Sequence, residues 1–151
     1  MNETASDTLP EKLANRLAIS LLTLRVTLGG FLLVWGLEKL ITPATTVGVY
    51  KGIYFFDAPP ALPYAAGILE CVLALAVIVG IYRTYSYGIA FLLHAITVVF
   101  TIQWIVDPWG LISGTPQHLF LASVPVLAAF FVLFYLRDWD TYTLDARRAA
   151  G

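Results

Sequence analysis

One cysteine in 151 residues leaves no partner for a disulfide. An intramolecular disulfide and a self-contained CxxC redox couple are therefore excluded, and Cys71 reads as a small buried hydrophobe. Charge is also scarce: 13% of residues carry one, the net is -1, and there is no basic block. Nucleic acid is thereby removed from the expected partners. The two histidines, His94 and His118, stand on separate segments, with no HxxxH, ExxH or c-type haem attachment pattern around them. Neither a metal nor haem is expected. A Gly-rich phosphate loop and a GxSxG nucleophile turn are missing too.

Long apolar runs are what the chain has instead. Hydrophobic residues make up 59% of it and the mean hydropathy is +0.79. About 20 apolar residues cross a hydrocarbon layer roughly 30 Å thick. Windows of that kind run from Leu17 to Ile41, Ala61 to Tyr82, Ser86 to Val106 and His118 to Leu136. The expected fold is all-α: a four-transmembrane-helix bundle forming a single membrane domain over residues 1–151, with the lipid bilayer as its surroundings. The first window follows the mixed-charge stretch "MNETASDTLPEKLANR" and precedes no A-x-A-like cleavage site, so it reads as a retained span.

Basic residues sort by side. Lys12, Arg16, Arg83, Arg137, Arg147 and Arg148 fall with the tails and the short "RTYS" turn, against Lys39 and Lys51 in the longer connections. The positive-inside rule then places both termini in the cytoplasm. The first outer loop, "TPATTVGVYKGIYFFDAPPALP", is too interrupted to span and too aromatic for open water, which predicts an interfacial or re-entrant segment. In the second outer loop, "DPWGLISGTPQ", Trp109 is placed as an interface anchor.

Polar residues inside the spans carry the functional argument, because an ionised group there is costly and usually faces a partner. Arg25 shares a helical stripe with Gly29, Leu32, Gly36 and Lys39; Glu70 shares one with Pro63, Ala66, Gly67, Ala74 and Val77. Depth counted from the window ends separates Arg25 from Glu70 by roughly 6 Å and puts His94 level with Arg25. The expectation is a buried cluster of Arg25, Glu70 and His94. A second group, Lys39, Gln103 and His118 with Trp35, Glu38, Trp104 and Asp107, would form the mouth of a pocket leading to it. The plainer alternatives are a structural Arg25–Glu70 pair, a satisfied interhelical bond at His94, and ordinary solvated helix ends at Glu38, Lys39, Asp107 and His118.

The stretch "RVTLGGFLLVWGLEKLITP" resembles the first span of DoxX-like membrane proteins, with its arginine, glycine-containing run and G-x-x-K-type ending. "PPALPYAAGILECVLALAVIVGIYRTYS" is similar to their second span, and "TYTLD" to the S-L-D-type ending after the last. The resemblance covers most of residues 16 to 145 and implies a four-helix membrane bundle. It also implies a link to redox systems, since the group includes a subunit of thiosulfate:quinone oxidoreductase and proteins implicated in disulfide maturation. Arg25, Lys39 and Glu70 are the positions it carries over. The chain departs from the pattern at "RDWDTY", where relatives often have glycines, and in lacking paired cysteines.

These readings combine into a quinone-reactive subunit of an oxidoreductase in a bacterial cytoplasmic (inner) membrane. Glu70 and His94 are the expected proton-handling catalytic residues, and Arg25, Lys39, Trp35, Gln103 and His118 the expected ligand-binding ones. Electrons would come from an oxidoreductase partner or a sulfur-type reductant; whether the chain forms a homo-oligomer stays open. The competing readings are a non-catalytic anchor or scaffold and, last, a small-anion or lipid binding or transport protein.

Overall fold

The computed structural model describes residues 11–149, in which there are helices and turns and no strand. The first helix, α1, spans Glu11–Ile41 and so begins well before the apolar window. Pro43 ends it, because proline lacks an N–H and disfavours helical backbone in the residue before it. Thr42 accordingly sits at φ -126°, ψ 61°, and its N–H and hydroxyl both donate to the Glu38 carbonyl, at 2.8 and 3.0 Å. The same proline opens the short helix α2, Pro43–Gly52.

Helix α3, Leu62–Val79, closes on Gly80 at φ +69°, with the N–H groups of Gly80 and Ile81 donating to Ala76 O at 3.0 and 3.1 Å. That left-handed cap favours glycine, and a Cβ there would also strike Arg25 Nη1 and Thr143. Helix α4, Arg83–Phe100, stops short of the expected Val106. The buried Thr101 hydroxyl donates back to Thr97 O at 2.8 Å, and a separate five-residue α5, Ile102–Val106, follows. A 3-10 turn, His118–Ala122, runs directly into α6, Ser123–Tyr135. Another 3-10 turn, Arg137–Trp139, and α7, Leu144–Ala149, complete the described chain.

Small residues bring α1 and α3 together antiparallel. A Cβ on Gly36 would stand 2.7 Å from Cys71 Sγ, and one on Gly67 only 2.9 Å from Gly36 O. Close backbone approach of this kind is how helices associate where lipid removes the hydrophobic drive. Helices α4 and α6 pair through Gly88 against Phe134 and a stack of Phe91 on Phe134 at 6.4 Å. Leu21, Leu28, Leu32, Ala74, Val77, Ala90, Phe130 and Leu133 fill the space between the pairs.

Outside, Val34, Leu69, Val72, Leu92 and Val99 are exposed. Helices α1 and α3 and the continuous segment His118–Tyr135 are long and apolar enough to cross a membrane. A surface this apolar belongs in lipid, so the chain is an integral membrane protein.

Gly67→Val should lower thermal stability in detergent by about 1–3 kcal/mol through overpacking of the α1–α3 seam. Gly30→Ala, at a position where nothing lies within 4 Å of the new Cβ, should not lower it. Paired melts by circular dichroism in the same micelle decide this.

Candidate functional site

Two polar clusters form at opposite ends of the bundle. At the first, Arg25 is only 3% exposed and donates from Nη2 to Tyr142 O at 2.7 Å. Its Nη1 lies 3.7 Å from Asp140 Oδ2, which accepts the Tyr87 hydroxyl at 2.8 Å. Arg83 Nη1 donates to the carbonyls of Arg137 and Asp140, each at 2.8 Å. The Asp145 carboxylate accepts the backbone N–H groups of Tyr82 and Arg83 at 3.0 and 2.9 Å. The segment after α6 is thus folded back across this end and tied to α1 and α4.

The expected Arg25–Glu70–His94 cluster does not form. The α1–α3 seam sets Arg25 beside Gly80, about 15 Å along the axis from Glu70 at helical rise. Counting depth from the apolar window misplaced it, because the helix frame is fixed by glycine contacts and not by where hydrophobicity begins.

Glu70 instead meets Lys39, with 2.7 Å between Oε2 and Nζ, at the other end. Lys39 Nζ also donates to Trp35 O at 3.2 Å. Beside this pair lies a cavity of about 540 Å³, walled by α1, α2, α3, α4 and the start of α6. Trp35, Glu38, Lys39, Glu70 and His94 line it, so five of the residues named from sequence share one space. His94 Nε2 is 3.0 Å from Ser123 O. A carbonyl only accepts, so Nε2 carries the proton and Nδ1 is left as the acceptor nitrogen.

Arg25, Gln103 and His118 are outside the lining. The break at Thr101 leaves Gln103 exposed, while His118 is exposed and sits edge-on to Trp109 at 6.3 Å. Gln117, Tyr50, Tyr54 and Thr97 line the cavity without having been anticipated. Tyr54 reaches it from the turn after α2, its hydroxyl 3.1 Å from Thr97 Oγ1. The four-residue spacing of Tyr50 and Tyr54 was the available signal, one helical turn facing one way. Among the described residues no group of three metal-ligating side chains converges.

Asp107 is not a solvated helix end. It is 8% exposed, and its carboxylate accepts the N–H groups of Leu111, Ile112 and Ser113 at 2.7, 2.9 and 2.8 Å. The Ser113 N–H foremost, with the others, holds this carboxyl below its usual range against the opposing effect of desolvation.

Two outcomes follow for these clusters. Asp140→Leu, which strands a buried guanidinium, should cost about 3–5 kcal/mol, and the double change Arg25→Met, Asp140→Leu should cost less than the two singles together. Thermal melts of all four proteins in detergent measure that coupling. For Asp107, a depressed folded value means its contribution is complete above the ordinary carboxyl range and disappears as pH falls through the folded value. Hydrogen exchange at Leu111 to Ser113, corrected for intrinsic rate, should show protection persisting through mild acid and lost only in stronger acid. Asp107→Ala should remove it at neutral pH.

The DoxX family model matches residues 20–107, more than half of the chain. Searches of curated proteins and of solved structures find no significant match. The matched stretch contains Arg25, Lys39, Glu70 and His94 and ends at Asp107, before Gln117 and Asp140.

Proposed function

Because the chain belongs to the DoxX family, we propose that it is a membrane subunit of a redox system and holds a quinone headgroup in the cavity beside Lys39 and Glu70. The observation that carries the reading is the cavity itself. Its volume of about 540 Å³ lies within the drug-sized ligand range, and its walls are mostly apolar with a few convergent polar groups.

The residues present fit such a headgroup. Trp35, Tyr50 and Phe120 supply ring faces, and Lys39 has committed its ammonium to Glu70 and the Trp35 carbonyl, leaving one N–H direction for a carbonyl oxygen. A bound quinone supplies two-electron, two-proton chemistry. Lys39 orients and polarises an oxygen, Glu70 takes or returns a proton while holding Lys39, and His94 offers Nδ1 as a second acceptor. Electrons arrive from an oxidoreductase partner or a sulfur-type reductant. Arg25, engaged by Asp140 and Tyr142, serves as a structural lock in this reading and not as a ligand.

The same reading adds α4, third in chain order, to the three long spans and sets both termini in the cytoplasm of a bacterial cell, with the cavity opening towards the outer face. The count of basic residues supports it: the Arg25 end carries Arg16, Arg83 and Arg137, against Lys39 and Lys51 towards the other.

Equilibrium binding of a short-chain quinone to the detergent-purified protein tests the proposal. Lys39→Met should weaken binding about tenfold or more. Arg25→Met should lower thermal stability yet leave the affinity of the folded fraction unchanged. Absence of saturable binding by folded wild type would defeat the quinone reading and favour a scaffold whose polar pairs only fix the fold.

A further inference from the structure

The charge inventory of the cavity is unbalanced in one direction. Glu38, Glu70 and Lys39 are the carboxylates and the one ammonium among its lining, beside the imidazole of His94, which is engaged by the Ser123 carbonyl at 3.0 Å. Lys39 is neutralised by Glu70 at 2.7 Å. The Glu38 carboxylate has no ion-pair partner among the described residues. The surplus charge of the cavity is therefore negative. The other buried cation of the bundle, Arg25, lies outside the lining and is held by Asp140 and Tyr142, so it cannot offset this.

Aromatic side chains stand out among the otherwise aliphatic and threonine-containing wall. Phe31, Trp35, Tyr50, Tyr54 and Phe120 contribute rings, and Trp35, 46% exposed, is also accessible from outside. Ring faces carry partial negative charge and attract cations, most strongly from Trp and most of all where water is excluded. An unpaired carboxylate among aromatic rings in a mostly apolar cavity suits a cation whose charge is spread over carbon substituents. A compact, strongly hydrated cation would lose too much solvation on entering. An anion of similar size would meet Glu38 and would have to separate Lys39 from Glu70 to find a counter-charge.

We infer that this cavity is a binding site for lipophilic monocations, of the quaternary ammonium or phosphonium class, and discriminates against lipophilic anions of the same shape. The inference uses Glu38, which the quinone chemistry above does not employ, and it stands whether or not a quinone binds. It also counts against the small-anion reading, because Lys39 and Arg25 are paired with Glu70 and Asp140.

Tetraphenylphosphonium and tetraphenylborate have the same shape and opposite charge, which makes them suitable probes. Equilibrium dialysis against the full chain in detergent micelles, with protein-free micelles subtracted for partitioning, should reveal a saturable site for tetraphenylphosphonium and none of comparable affinity for tetraphenylborate. Glu38→Gln, at a half-buried position, should weaken phosphonium binding about tenfold. Trp35→Leu should weaken it about threefold by removing a ring face while leaving Glu38 in place. Both variants are compared with wild type at matched thermal melts. No saturable phosphonium component, equal saturable binding of the borate, or unchanged binding in folded Glu38→Gln would each overturn the inference.

Discussion

The glycine seam between α1 and α3 is the contact on which the other features depend. Lipid chains are as apolar as leucine, so these helices gain little by hiding aliphatic surface from the bilayer, and close packing must hold them together. Gly36 and Gly67 allow that packing only in one register, because any Cβ at either would meet backbone or Cys71. The register then decides which charges meet. With Gly36 beside Cys71 and Gly67, Lys39 reaches Glu70 at one end, and Arg25 lies against Gly80 at the other. A slip of one residue would shift these partners by about 1.5 Å along the axis and rotate them by about 100°, breaking both arrangements at once.

The two polar clusters answer the same constraint differently. Arg25 and Asp140 are almost wholly buried, and their surroundings, Tyr87, Tyr142, Arg83 and Arg137, all belong to the chain. A buried pair is weak evidence for net stability but specifies an arrangement strongly, since losing either partner strands a charge. Here the arrangement is the docking of the tail after α6 onto the ends of α1 and α4. Lys39 and Glu70, at 19% and 11% side-chain exposure, instead face open space. Their desolvation is incomplete, and the Lys39 N–H not used by Glu70 or the Trp35 carbonyl is left for the cavity. One pair closes the structure; the other is available for chemistry.

How far the sequence could be read follows from what kind of signal each feature leaves. Apolar length revealed the long helices; the first window ended at Ile41 as α1 does, while the second ran past the Gly80 cap to Tyr82 because apolar content continues where the backbone turns. The break at Thr101 was invisible, since a threonine bonding back to Thr97 looks the same in sequence as one facing outward. Misjudging it carried Gln103 into the expected pocket and left out Gln117, which comes in from a loop. Arg25 was assigned an inward face, and it has one; its partner was missed because Asp140 lies beyond the last span, where a carboxylate reads as solvated. Apart from Arg25, the residues named for the cavity from α1, α3 and α4 share that space because helical faces and approximate depth are legible locally. Which of two ends a charge reaches is a tertiary fact.

Between the clusters, the buried side chains are Leu28, Leu32, Ala74, Ala90 and Phe130. Such a band offers no group to carry a proton from the cavity to the Arg25 end, and packed aliphatic side chains leave no polar site for water. If Glu70 or His94 takes a proton in the proposed chemistry, that proton leaves through the end by which it came. The same barrier keeps Arg25 and Asp140 from sensing the charge state of the cavity. Chemistry of the proposed kind would then be confined to the cavity's end of the bundle, with the far end holding the helices in register.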